Sequence, residues 1–239
     1  MLKRSIAVLL SLCLLFFISF STADEWDDED WDDEDYSDDE YEEGFEEEED
    51  RVDFRTLSGY NIQTFECDGF RYQLTEDGEG AILVSYYGTD AEVDFPETLN
   101  NLPVVAINTA MCVNNPVIQK LHIPGSVQII GPNAFAQCPN LESVEIMEGL
   151  KILDKCCFGG CPQLKEILLP DSLETIDDFV FANCPKLQEI SFGKQLQSIG
   201  RQAFLKCASL SRVTIPGGDA VSIGEEAFGE CASDLRIIN

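Results

Sequence analysis

Phenylalanine recurs at Phe135, Phe158, Phe181 and Phe204, and a cysteine follows each three places later, at Cys138, Cys161, Cys184 and Cys207. The pair advances by 23 residues each time. Phe228 with Cys231 repeats it one residue late, after Gly217 and Gly218, as a single insertion in a turn would do. A fixed period in the twenties restricts the chain to stacked copies of one supersecondary unit. Ordering the residues of a single copy costs roughly 1 to 2 kcal/mol each in backbone freedom. Burying one Phe or Leu returns only about 1.5 to 3 kcal/mol. One copy therefore cannot fold alone, and the copies must shield each other.

The spacing continues downstream of each cysteine. Leu141, Val144 and Ile146 are answered by Leu164, Ile167 and Leu169, by Leu187, Ile190 and Phe192, and by Leu210, Val213 and Ile215. The last positions alternate apolar with polar, the period of a strand with one buried face. A second apolar pair follows: Leu150 with Leu153, Leu173 with Ile176, Leu196 with Ile199. The pattern predicts a leucine-rich-repeat solenoid, β-rich with short helical turns, over residues 104–239. The first coil is degenerate: counting back one period from Phe135 and Cys138 lands on Cys112 and Asn115, whereas Ile118 and Ile123 keep the apolar ledge.

A solenoid needs a covered first coil. Phe70, Tyr72 and Leu74 alternate, Glu76-Asp77-Gly78-Glu79-Gly80 offers a turn, and Ala81 to Tyr87 reads as a return strand. Residues 54–103 are therefore expected to form an N-terminal β cap. No closing unit follows the final apolar stretch Leu235-Arg236-Ile237-Ile238, which predicts an end-to-end homodimer.

Ahead of the cap, Lys3 and Arg4 precede an apolar run from Ile6 to Phe20, and Ser21-Thr22-Ala23 supplies small residues for cleavage. Residues 1–23 read as a signal peptide, which implies a secreted or extracellular-surface protein and no membrane insertion after its removal. Residues 24–53 are almost wholly carboxylate up to Asp50, with Trp26, Trp31, Tyr36 and Tyr41 at five-residue steps that match neither helix nor strand. Charge repulsion predicts a disordered acidic tail. The net charge of −30 argues against nucleic acid as a partner. A calcium-loop alignment through Asp39, Glu43, Gly44 and Asp50 fails at Tyr41, where a ligand is needed. Loose binding of divalent cations or of a basic partner by the tail stays open beside a plain solvated spacer.

The units Ile130-Gly131-x-x-Ala134-Phe135-x-x-Cys138-Pro139-x-Leu141-x-x-Val144-x-Ile146 and Ile199-Gly200-x-x-Ala203-Phe204-x-x-Cys207 through Ile215-Pro216 resemble the BspA-like class of bacterial leucine-rich repeat. Asp154 and Asp177 stand where that pattern has Gly. The resemblance covers roughly residues 66–239, since Tyr87-Gly88-Thr89-Asp90 and Pro103 to Ile107 match its lead-in. It implies a secreted or surface-displayed, non-catalytic protein that mediates binding or adhesion to a protein of another cell, host or matrix.

Nine cysteines lie outside the leader. Export favours disulfides. Yet the repeat position of Cys138 and its equivalents points inward, and neighbouring coils would hold parallel Cβ atoms at about the strand spacing, too far for a bridge. A buried ladder of thiols is the expectation, with Cys156 and Cys67 off it. No cofactor-binding or metal-ligating set is visible. His122 is the only histidine, which leaves a cysteine-dependent hydrolase with Cys156 as the sole catalytic alternative. The candidate binding surface is the outward side of the repeat strands: one row of Lys120, Ser143, Glu166, Glu189 and Arg212, and beside it His122, Glu145, Leu168, Ser191 and Thr214. Scattered polar side chains there also suit a merely solvated face.

Overall fold

The structure, a computed structural model, describes residues 63–238. The leader, the acidic tail with its calcium-loop alignment, and the first residues of the expected cap lie outside the described residues. Strands β1 (Phe65–Cys67), β2 (Phe70–Leu74) and β3 (Ala81–Tyr86) form an antiparallel meander, the last two being the hairpin that the alternation predicts. Next come β4 (Glu92–Asp94), β5 (Thr98–Leu99) and β6 (Leu102–Ile107). The repeats follow with two short strands apiece: β7 (Lys120–Ile123) and β8 (Ile129–Ile130), β9 (Ser143–Ile146) and β10 (Ile152–Leu153), β11 (Glu166–Leu168) and β12 (Thr175–Ile176). Then come β13 (Glu189–Ser191) and β14 (Ser198–Ile199), β15 (Arg212–Thr214) and β16 (Ser222–Ile223), and finally β17 (Arg236–Ile238).

The strands stack coil on coil into ladders along a solenoid. One sheet runs β1-β2-β3-β6-β8-β10-β12-β14-β16, parallel from β3 onward, so the meander extends the repeat sheet. The other face is a ladder in the order β4-β7-β9-β11, then a separate ladder β13-β15-β17. Equivalent residues sit directly opposite one another, Leu121 on Val144 on Ile167, and Ile190 on Val213 on Ile237. The 23-residue period is thus the register itself.

Where the pattern predicts short helical turns, the arc between the two faces is a run of tight turns. Gly218–Ala220 is the only helical stretch, a single 3-10 turn, among the described residues. The cause is hydrogen bonding between coils. Asn133, Phe135 and Gln137 donate their N–H groups to Lys155, Cys157 and Gly159 of the next coil at 2.8–2.9 Å, while Ala134 and Ala136 close local turns. A helix would direct all these donors along its own axis. The alternation needs left-handed backbone two residues either side of each Phe position. Asn133 and Gln137, Cys156 and Gly160, Phe179 and Asn183, Gln202 and Lys206, and Glu226 and Glu230 all lie at φ of 50–73°, and only one of these ten is glycine.

The core is a column of rings. Phe135, Phe158, Phe181, Phe204 and Phe228 stack with centroids 5.2–5.7 Å apart and planes within 21° of parallel. The degenerate first coil has Cys112 in place of the ring. Phe95, from the segment after β4, turns edge-on to Phe135 at 5.8 Å and continues the aromatic run to Phe70. Beside the column, the thiols of Cys138, Cys161, Cys184, Cys207 and Cys231 donate to backbone carbonyls of the preceding coil at 3.2–3.3 Å. In the first coil Asn115 takes that position, and its side-chain oxygen accepts from the N–H groups of Val117 and Ile118 instead. None of the nine described cysteines is bridged. Cys157 is core, whereas Cys67 and Cys156 are half-buried off the ladder. A second, smaller apolar cluster that the repeat pattern does not announce, Ile82, Ala106 and Ile129, lies apart from this core.

Three outcomes test this account. Phe158→Ala removes a fully buried ring from mid-column and is expected to cost about 3 to 5 kcal/mol in denaturant unfolding. Lys206 is exposed and left-handed, so Lys206→Val should lower stability by about 1 to 3 kcal/mol, whereas Lys206→Gly should not lower it. Burial pushes the thiols of Cys112 and Cys184 up to about 12, from an ordinary value of 9.0. Thiols held protonated longer in the folded chain stabilise it fully below the unfolded value and stop doing so as pH rises. Urea midpoints are therefore expected to fall between pH 9 and about 12, less steeply in Cys184→Ala.

Candidate ligand-binding face

Period-two alternation sends Leu121, Val144, Ile167, Ile190 and Val213 into the core, which leaves their neighbours outside. All ten candidate residues lie on that outer side. Lys120, Glu145, Glu166, Leu168, Glu189, Ser191 and Arg212 are exposed, and His122, Ser143 and Thr214 are half-buried. The register lines up Lys120, Ser143 and Glu166, and beside them His122, Glu145 and Leu168. Glu189 with Arg212, and Ser191 with Thr214, line up in the second ladder. Strand pairing lapses between β11 and β13, so the two groups share a face but no continuous ladder.

Four positions escaped the periodic reading. Glu92 and Asp94 on β4 sit directly opposite Lys120 and His122 and extend both rows. They lie more than one period upstream because β5 pairs back on β6 and takes up extra chain. Arg236 extends the first row beyond Arg212 and Ile238 the second beyond Thr214, and the one-residue offset of Phe228 was the available signal for both.

Electrostatics divide the face. Arg212 bonds Glu189 at 2.8 Å near one end. At the other, the ring nitrogens of His122 face Glu145 at 3.1 Å and Glu92 at 3.3 Å, and the Lys120 ammonium lies 3.6 Å from Glu92. These exposed pairs add little stability, but they fix the imidazole between two strands. Next to it lies a depression of about 260 Å³ between β4, β7 and β9, walled by Asp94, Glu97, Glu145 and Met147, with Pro124 and Phe95 beneath. Met147 is 55% exposed and Leu168 52% exposed, large apolar side chains that this face leaves in water.

The two residues of the hydrolase alternative stand on different parts of the coil, His122 on β7 and Cys156 in a turn arc. Cys156 sits in an arc rather than on the strand face, and burial pushes its thiol up to about 11 against the partial offset of the Lys155 ammonium. A nucleophilic cysteine needs the opposite shift. Both nitrogens of His122 are occupied by glutamates. Among the described residues no three His, Cys, Asp or Glu side chains converge in a metal-binding group. No described helix is long and apolar enough to cross a membrane.

The face belongs to an architecture seen in bacterial repeat proteins. A leucine rich cell surface protein of Faecalibacterium prausnitzii superposes with a TM-score of 0.65 at 26% identity, covering 74% of this chain and 50% of its own. The chain thus spans about half the length of that relative. A leucine rich repeat protein of T. pallidum superposes with a TM-score of 0.62 at 27% identity, covering 73% of this chain and 86% of its own. No curated protein matches the sequence. The profile of the BspA type leucine rich repeat region matches residues 105–234 in six copies. With more than half its length in that repeat, and with the ring column and turn arcs in place, the chain belongs to the BspA-type leucine-rich-repeat family.

Proposed function

We propose that the chain is an exported, non-catalytic binding module that holds a protein ligand of another cell, host or matrix against the outer side of β7, β9, β11, β13 and β15. The observation that carries this reading is the in-register display of exposed side chains on a rigid buried backing, with Leu168 uncovered among them. Rigid strands position such side chains at little entropic cost. The leader-like start and the cell-surface description of the F. prausnitzii relative support action outside the cell. Pairing of two copies end to end through β17, where Ile237 and Ile238 are exposed, belongs to the same proposal.

The test is retention of extracellular proteins by the immobilised mature chain, compared with a Leu168→Asp/Thr214→Arg variant of unchanged melting temperature. The partner is expected to be kept by the first and lost, by about tenfold or more in affinity, by the second. Equal retention by both rejects the face. Retention that vanishes only when residues 24–53 are removed transfers the function to the acidic tail.

A further inference from the structure

The depression beside His122 has more negative charge than its own cations satisfy. Glu92 is shared by Lys120 and His122, and Glu145 is held by His122. Asp94 and Glu97 line the same depression with no side-chain partner among the described residues. Against these carboxylates stand the exposed thioether of Met147 and the ring of Pro124. Anionic and apolar groups thus line the depression together. With about 260 Å³ of space, the depression is smaller than a drug-sized ligand site and suits one long side chain. Leu168 lies one strand further along the row that contains Asp94, His122 and Glu145.

We propose that this depression receives a single arginine or lysine side chain of an extended protein segment, whose apolar neighbour rests on Leu168. This rests on the binding role proposed for the face and names what the face selects. The aliphatic stem lies along Met147 and Pro124 while the charged head reaches Asp94 and Glu97, the division that long basic side chains make at an apolar–polar boundary. A cation there donates charge-assisted hydrogen bonds to carboxylates that no other side chain occupies. The net charge of −30 speeds the approach of basic segments, and a glutamate in the same place would face like charge.

The experiment uses the full exported chain and two fluorescein-labelled heptapeptides, one with a central arginine flanked by leucines, the other with glutamate in its place. Fluorescence anisotropy is read at near-physiological salt. The arginine peptide is expected to bind and the glutamate peptide not. Asp94→Asn/Glu97→Gln should weaken binding about tenfold, and Glu76→Gln/Glu230→Gln, which removes equal charge elsewhere, should change it less than about twofold. Comparable weakening by both pairs reduces the effect to overall charge and overturns the proposal. Equal binding of the two peptides, or no binding of either, also overturns it. If Asp94→Asn/Glu97→Gln keeps the partner that Leu168→Asp/Thr214→Arg loses, the face reading stands and this one falls.

Discussion

Face-to-face stacking of phenyl rings between coils is the contact on which the rest of the molecule depends. Each ring from Phe135 to Phe204 is fully buried and packs against the rings of the neighbouring coils. Stability then resides in interfaces, and a coil without a partner loses both its packing and its backbone bonds. This explains what happens at the degenerate start. Cys112 leaves the ring position vacant, and Phe95 fills the column edge-on from outside the periodic pattern. The thiol ladder follows the same logic: each S–H reaches a carbonyl one coil back, and for the carbonyls of Phe135, Phe158 and Phe181 it satisfies a group that the arc would otherwise bury unpaired.

The arcs convert that stacking into a rigid frame at a conformational cost. Two left-handed residues per coil aim alternate N–H groups at the next coil, and most of these residues carry a Cβ that disfavours the conformation. The bonds between coils offset this strain from Asn133 through Lys206. Gly200 shows how closely the coils approach: a Cβ there would enter the backbone of Asp177 and Asp178. Asp154 and Asp177, at the equivalent positions, instead turn their carboxylates onto the following N–H. The departure from the Gly pattern is therefore a different local solution and not a break in the solenoid.

On the outer side of the repeat strands, the frame presents an uneven surface. The rows named from the period do face outward, but their acidic end is completed by β4, whose residues come from the lead-in. The charge that distinguishes the depression is contributed jointly by Asp94 and Glu97 from that lead-in and by Glu145 from a repeat. A surface assembled from the capping segment and the first coils can differ in chemistry from one repeat protein to another while the stacked core stays the same.

By itself the sequence determined the period, the strand faces, the buried ring column and the thiol ladder, because each is a side-chain property repeated at constant spacing. The outward placement of Lys120 through Thr214 followed from strand alternation alone. Tertiary structure decided what repetition does not encode. Beside Asn133, Gly160 and Asn183, the left-handed residues include Gln137, Cys156, Phe179, Gln202 and Lys206, types that announce no such backbone, because the demand comes from the neighbouring coil's carbonyls. The lapse in pairing after β11, the entry of Phe95 into the column and the union of Asp94 with His122 depend on where chain distant in sequence comes to lie. That is fixed only when the coils close on one another.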